Sequence, residues 1–200
     1  MEASELAIPG VFEIRLSPFT DERGFFMRTY DRALMEEAGF HRDWVQENQS
    51  RNERKGIVRG LHFQFPPAAE TKLVRCVNGE VFDVFVDLRL GRPSFGRWGG
   101  VVLSEAKRNM VFIPPGFAHG YCTLSDTSDV LYKVDRPYDL AKEGGLLWAD
   151  GDIGIEWPLT GTPQLSGRDR DAMSLREFIT KHGGLVIDPS DGPAPGHRPS

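Results

Sequence analysis

Cysteine is scarce in this chain: 200 residues contain only Cys76 and Cys122, with no CxxC spacing between them. A disulfide framework is therefore not expected, and two buried thiols in a reducing compartment are. Long apolar runs are missing as well, since no uncharged stretch approaches the roughly 18 residues that span a bilayer. The opening residues, Met1, Glu2, Ala3, Ser4 and Glu5, supply neither a basic nor an apolar leader region. Positive charge is in deficit, 24 basic side chains against 29 acidic ones for a net −5. That balance argues against a protein that coats nucleic acid and leaves room only for a local basic pocket. Internal repeats are absent too. Together these gaps point to a soluble cytoplasmic protein with no nucleic-acid or membrane partner.

What is present is an ordinary globular composition, 40% hydrophobic and 26% charged. It is enough for one domain with a substantial core. The 22 glycines and 14 prolines imply many turns. The spacing predicts a single domain over residues 1–188, followed by a flexible Pro/Gly-rich tail over 189–200. Phe12, Ile14 and Leu16 alternate with Glu13 and Arg15, as in a half-buried strand. One helix is expected from an Asp31 cap through Leu34, Met35 and Ala38 to Gly39. Another is expected from Ser174, with Glu177 completing a capping box, and Leu175, Phe178 and Ile179 on one face as far as Gly183. Between them lies strand after strand. Residues 72–77 and 80–88 read as a hairpin about Asn78-Gly79. Further strands are expected over 101–103, 110–113, 121–124 and 130–134. The fold class is mainly β, a sandwich or barrel with a few short peripheral helices.

Several ionisable residues sit in segments that otherwise look buried. His62 shares a strand face with Gln64, Lys72 with Val74 and Cys76, and Tyr132 with Val130 and Val134. His119 follows a Pro114-Pro115-Gly116-Phe117-Ala118 turn. Taken singly, each has a bland reading: a hydrogen-bonded histidine, an edge-strand lysine, a packed tyrosine. If their faces line one lumen, they converge in a pocket suited to proton transfer. The segment Pro114-x-Gly116-x-x-His119 is similar to a half-motif of the cupin β-barrels, in which the histidine often binds metal. The earlier strand reads His62-Phe63-Gln64 and lacks the second histidine of such a site, so no metal is expected.

A larger set of blocks carries a closer resemblance. It includes Asp21-Glu22-Arg23-Gly24-Phe25-Phe26, Val45-Gln46-Glu47-Asn48-Gln49-Ser50 and Val58-Arg59-Gly60-Leu61-His62-Phe63-Gln64. It continues through Lys72-Leu73-Val74-Arg75-Cys76, Ile113-Pro114-Pro115-Gly116-Phe117-Ala118-His119-Gly120 and Leu165-Ser166-Gly167-Arg168-Asp169. The chain resembles the dTDP-4-dehydrorhamnose 3,5-epimerase family from about residue 7 to residue 180. The resemblance implies a cupin-type jelly roll that dimerises with sites shared between subunits. It implies a nucleoside-diphosphate 4-keto-6-deoxyhexose as substrate. No cofactor is implied, because the C4 carbonyl already acidifies the C3 and C5 hydrogens.

By the same resemblance His62 is the base that makes an enolate, Asp169 orients its ring, Lys72 faces the C4 oxyanion, and Tyr132 returns the proton from the other side. Arg23, reaching in from a neighbouring subunit, and Arg59 match diphosphate contacts. Gln46, Asn48 and Ser166 match other substrate contacts, Tyr138 a second tyrosine at the rim, and His119 with Asp83 a polar pair in the lumen. Arg28 stands where many members carry glutamate near the nucleobase, which leaves thymidine, cytidine and guanosine diphosphates all open. Strict alternation puts Arg59 and His62 on opposite faces, so a bulge near Gly60 is required if both meet one ligand. Whether C3, C5 or both are epimerised stays open. A metal-dependent cupin and a catalytically silent binding barrel are the competing readings.

Overall fold

The computed structural model describes residues 1–188; the expected tail over 189–200 lies outside the described residues. The chain runs β1 (Glu2–Glu5), β2 (Phe12–Arg15), β3 (Phe19–Asp21), β4 (Gly24–Phe26), helix α1 (Arg32–Glu37) and β5 (Gln46–Asn52). Next come β6 (Val58–Gln64), β7 (Lys72–Asn78), β8 (Glu80–Asp87), β9 (Trp98–Ser104), β10 (Asn109–Ile113), β11 (Phe117–Thr123) and β12 (Ser128–Val134). The short strand β13 (Glu143–Gly145) and helices α2 (Gly167–Arg170) and α3 (Leu175–His182) close the order. A six-stranded sheet, β1-β2-β10-β7-β12-β5, faces a five-stranded sheet, β13-β6-β11-β8-β9, and β3-β4 forms a separate hairpin. The architecture is a mainly β, antiparallel, cupin-type sandwich. Among the described residues no helix is long and apolar enough to cross a membrane.

Alternation builds the layers. Val81 and Phe85 of β8 meet Val74 and Cys76 of β7, Val111 and Ile113 of β10, and Val130 of β12 in a core between the sheets. The opposite side chains of β8, Phe82, Val84 and Val86, pack outward with Leu88 against Leu175 and Phe178 of α3. On the other sheet, Ile14, Leu73, Met110 and Phe112 bury Met35 of α1. Each fully buried side chain of this size contributes about 1.5–3 kcal/mol. Both expected helices form as read: Asp31 accepts from the Leu34 N–H, and Ser174 with Glu177 makes the capping box. Both cysteines are buried and free, and burial pushes each thiol up to about 11.

Three expectations are corrected. The strands flanking Asn78-Gly79 are not a hairpin: β7 pairs with β10 and β12, β8 with β11 and β9. Gly79, at φ +73°, instead carries the chain from one sheet to the other, pressed so close to Thr127 that a side chain would collide with its carbonyl oxygen. The donors of the turn go to the 125–129 loop, Glu80 N–H to Ser125 Oγ and Asn78 Nδ2 to Asp129. The turn before His119 is shorter than expected: it ends at Gly116, and His119 lies within β11, which begins at Phe117. Ile179 is exposed, because α3 is short and only Leu175 and Phe178 reach the sheet.

Candidate active site

The site opens between the sheets at the β5–β12–β7 side. Cross-strand register sets Tyr132 opposite Asn48, and Val134 opposite both Gln46 and Lys72. Gln46, Asn48, Tyr132 and Lys72 therefore share the inward face of the six-stranded sheet. The facing sheet contributes β6 and β11, where His62 pairs with His119 and Arg59 with Tyr121. Between these pairs two residues of β6, Gly60 and Leu61, stand against one of β11, Gly120, which is the bulge that the spacing of Arg59 and His62 required. Gly60 sits in it at φ +114°, and a Cβ there would lie 2.7 Å from Gly120 Cα and from His119 O. Only glycine lets the bulged backbone dock on β11, and the bulge turns both Arg59 and His62 toward one cavity.

That cavity has two lobes that share His62, Lys72 and Tyr132, of about 120 and 240 Å³. Gln46, Asn48 and Tyr138 line one; Arg59, His119, Tyr121, Ser166 and Asp169 line the other. His62 Nε2–H donates to Asp169 Oδ1 at 2.6 Å. Burial pushes the Asp169 carboxyl up, but hydrogen bonds from His62, Ser166 and the Gly60 backbone N–H prevail and hold it below the usual carboxylate range. An ionised acceptor fixes the tautomer, leaving Nδ1 as the ring nitrogen with a lone pair. His119 Nε2 donates to Asp83 Oδ2 at 2.8 Å. Asp83 is fully buried, and burial drives its carboxyl up against the opposing pull of His119 and Lys72.

The remaining expected residues divide. Arg59 Nε donates to Asn52 Oδ1 at 2.8 Å, aligning its guanidinium along the cavity wall. Tyr138 stands exposed at the rim and donates to Glu143 Oε2 at 2.8 Å, while Arg168 pairs with the same carboxylate. Ser166 caps α2 by accepting the Asp169 N–H, so it places the histidine's partner. Gln46 Nε2 donates to Asn48 Oδ1 at 2.9 Å. Arg23 and Arg28 stand outside the cavity of their own chain. Arg23 is paired with Asp21 on the exposed β3–β4 hairpin, and Arg28 with Asp31 beside a separate apolar cavity lined by Phe19 and Phe26.

Sequence reading missed Tyr121, Glu70, Glu143 and Arg168. Tyr121 passes for a packing residue in an apolar strand, and only its register opposite Arg59 puts it at the site. Its hydroxyl meets Ser50 at 2.7 Å, and burial raises its phenol above the ordinary tyrosine range. Glu70 is a single carboxylate in a loop, yet it pairs with Lys72 Nζ at 3.1 Å. Each cavity histidine is taken by one carboxylate. Among the described residues no group of three or more His, Cys, Asp or Glu is placed to hold a metal ion.

Comparison with known proteins gives this geometry a lineage. The family model described as dTDP-4-dehydrorhamnose 3,5-epimerase matches residues 5–177. The enzyme of that name from Shigella flexneri is 47% identical over 170 residues, covering 84% of this chain and 93% of its own length. A dTDP-4-dehydrorhamnose 3-epimerase from Streptomyces niveus is 42% identical, covering 88% of this chain and 85% of its own. The structure of the Legionella pneumophila dTDP-6-deoxy-D-glucose-3,5-epimerase, solved with dTDP-4-keto-L-rhamnose, superimposes with a TM-score of 0.87 at 38% identity, covering 94% of this chain and 98% of that one. With the same fold and a match across most of its length, the chain belongs to the dTDP-4-dehydrorhamnose 3,5-epimerase family.

Proposed function

We propose that the protein is a cofactor-independent epimerase of a nucleoside-diphosphate 4-keto-6-deoxyhexose, acting at C3, C5 or both in deoxysugar biosynthesis. The observation that carries this is that His62 of the five-stranded sheet, bonded to Asp169 of α2, and Tyr132 with Lys72 of the six-stranded sheet all open on one cavity. Inverting a carbon requires a base on one side of the sugar and an acid on the other; a single-sided pair would only exchange the hydrogen. His62 Nδ1 takes the proton next to the carbonyl, and the ionised Asp169 stabilises the imidazolium. The electron pair moves onto the C4 oxygen, where Lys72 supplies a fixed positive charge. One such contact is typically worth about 10²–10³ in rate. Tyr132 then protonates the carbanion carbon from the opposite face. Arg59 lies along the same cavity wall, where its planar donor fork suits a diphosphate.

The active form in this reading is a cytoplasmic homodimer in which Arg23 of each exposed hairpin serves the partner's site. A dTDP sugar is the first substrate to test, given the ligand of the Legionella structure. Action at C3 alone is the second reading, favoured by the 42% identity to the Streptomyces niveus 3-epimerase. The test uses dTDP-, CDP- and GDP-linked 4-keto-6-deoxyhexoses in deuterated water, with deuterium followed at each carbon. Wild type should incorporate label at the epimerised carbon with one nucleobase preferred, and His62→Ala should lose most of it. Equal exchange by the two proteins would overturn the base assignment. Label at C3 only selects the second reading.

A further inference from the structure

Lys72 is not alone at the start of β7. Glu70, two residues upstream, sets one carboxylate oxygen 3.1 Å from Nζ, with the two side chains only 8% and 10% exposed. Its second oxygen accepts from Gln64 Nε2 at 2.7 Å. The Gln64 amide is committed at both ends: Nε2 also donates to Ala68 O and Pro137 O, and Oε1 accepts the Asp139 N–H at 2.7 Å. Those bonds fix its orientation, since a flipped amide would turn its oxygen toward the Glu70 carboxylate and its NH₂ toward the Asp139 N–H. A continuous chain of contacts thus runs from Lys72 through Glu70 and Gln64 to the 137–139 segment that carries Tyr138.

Burying a carboxylate here is costly unless its charge is used. The ammonium beside it has a problem of its own: a four-carbon stem leaves the head group free to wander unless a fixed partner holds it. We propose that Glu70 is the positioning residue of the site, holding the Lys72 ammonium in place and aimed at the C4 oxygen while anchoring the Tyr138 rim to the same carboxylate through Gln64. The proposal rests on the reading of Lys72 as the oxyanion partner. Glu70 touches no reacting atom, so its removal acts on the step in which negative charge reaches O4 and not on nucleotide binding.

Kinetics with a dTDP-linked 4-keto-6-deoxyhexose test this. Glu70→Gln keeps the shape and removes the charge. It should lower kcat about tenfold with KM within about twofold of wild type, the signature of an interaction lost only in the transition state. Glu70→Asp keeps the charge one methylene further back and should lose only about threefold in kcat. In a Lys72→Met background, Glu70→Gln should change the residual solvent exchange no further, because the two residues act as one unit. An unchanged kcat in Glu70→Gln, or the same fold loss with and without Lys72, overturns the proposal. Wild-type turnover by Lys72→Met would instead sink the reading of Lys72 and leave Glu70 without its partner. Thermal melting reports whether each variant is folded. If Glu70→Gln does not fold, Glu70→Asp carries the test, and an unchanged kcat there counts against the proposal.

Discussion

Two histidine–carboxylate pairs share the cavity, and their carboxylates are driven in opposite directions. Asp83 is fully buried, and its Oδ1 has no hydrogen-bond partner among the described residues; burial favours its neutral form. Asp169 collects donors from His62, Ser166 and the Gly60 backbone, which together hold it ionised against burial. Only an ionised carboxylate can stabilise an imidazolium as it forms. This is the physical ground for assigning the base to His62, whose side chain is 36% exposed, over His119 at 9%. Asp169→Asn should therefore lower kcat about 10²–10⁴-fold while leaving KM near wild type. It should also change the pH dependence of stability. A carboxyl held below its unfolded value stabilises the fold above the usual carboxylate range, and that contribution is lost as pH falls through the folded value. The stability gap between wild type and Asp169→Asn, measured by urea unfolding, should be open at pH 7 and close on acidification. A gap that widened in acid would contradict the sign of the shift. His62, Lys72, Tyr132 and Asp169 were legible in the sequence because each is a polar residue in a segment patterned for burial or a specific motif. Glu70 was not, because nothing in a loop carboxylate announces which ammonium it will meet.

At the scale of elements, the site depends on one misfit between strand periods. Period-2 alternation cannot bring Arg59 and His62 to the same side, and the bulge at Gly60 is what does so. The need for it was readable from spacing alone. The docking of Gly60 against Gly120 was not, because that contact joins segments 60 residues apart. Gly60→Ala must both adopt φ +114° and push a Cβ against β11 backbone that has no flexible side chain to yield. Equilibrium urea unfolding should register a loss of about 2 kcal/mol or more. The folded fraction should lose kcat/KM by more than tenfold, since His62 and Arg59, the proposed base and diphosphate contact, shift together. The capping box of α3 gives a milder case. Ser174→Ala should cost about 1 kcal/mol with kcat unchanged, because α3 covers the outer face of the five-stranded sheet and its side chains stay out of the reacting geometry. The misread hairpin has the opposite lesson. Asn-Gly does specify a tight turn with positive φ, and the turn is present; which strands it connects is settled by long-range pairing, with β10 and β12 already filling both edges of β7. β5 escaped notice for a related reason: its sequence, Gln46 to Asn52, has no apolar residue, because the face that would reveal a core strand lines the cavity instead.

For the whole molecule, a net charge of −5 coexists with a cavity wall carrying Arg59, Lys72 and Arg168, so the acidic balance describes the surface and not the site. The β3–β4 hairpin stands apart from both sheets and leaves Phe19 77% and Phe26 69% exposed, with Arg23 at its turn. Arg108 stacks on Phe25 of this hairpin, but Phe19 and Phe26 stay outward, which suits the proposed second copy, and a two-fold dimer would exchange hairpins symmetrically. The proposed sharing of sites then has a consequence that no single-chain arrangement can imitate. Arg23→Ala and His62→Ala subunits each form a defective homodimer, one short of a diphosphate contact in both sites and the other short of its base. A mixed dimer has one site in which His62 comes from the first chain and Arg23 from the second, and that site is complete. Co-expression or refolding of equal amounts should yield mixed dimers in half the population, each with one working site, and so restore about a quarter of wild-type turnover at low substrate concentration. If Arg23 served its own chain, every site in the mixture would lack one residue or the other, and activity would be no more than the mean of the two parents. Sedimentation of the wild type fixes the oligomer, and the mixing assay decides whether the oligomer is part of the site.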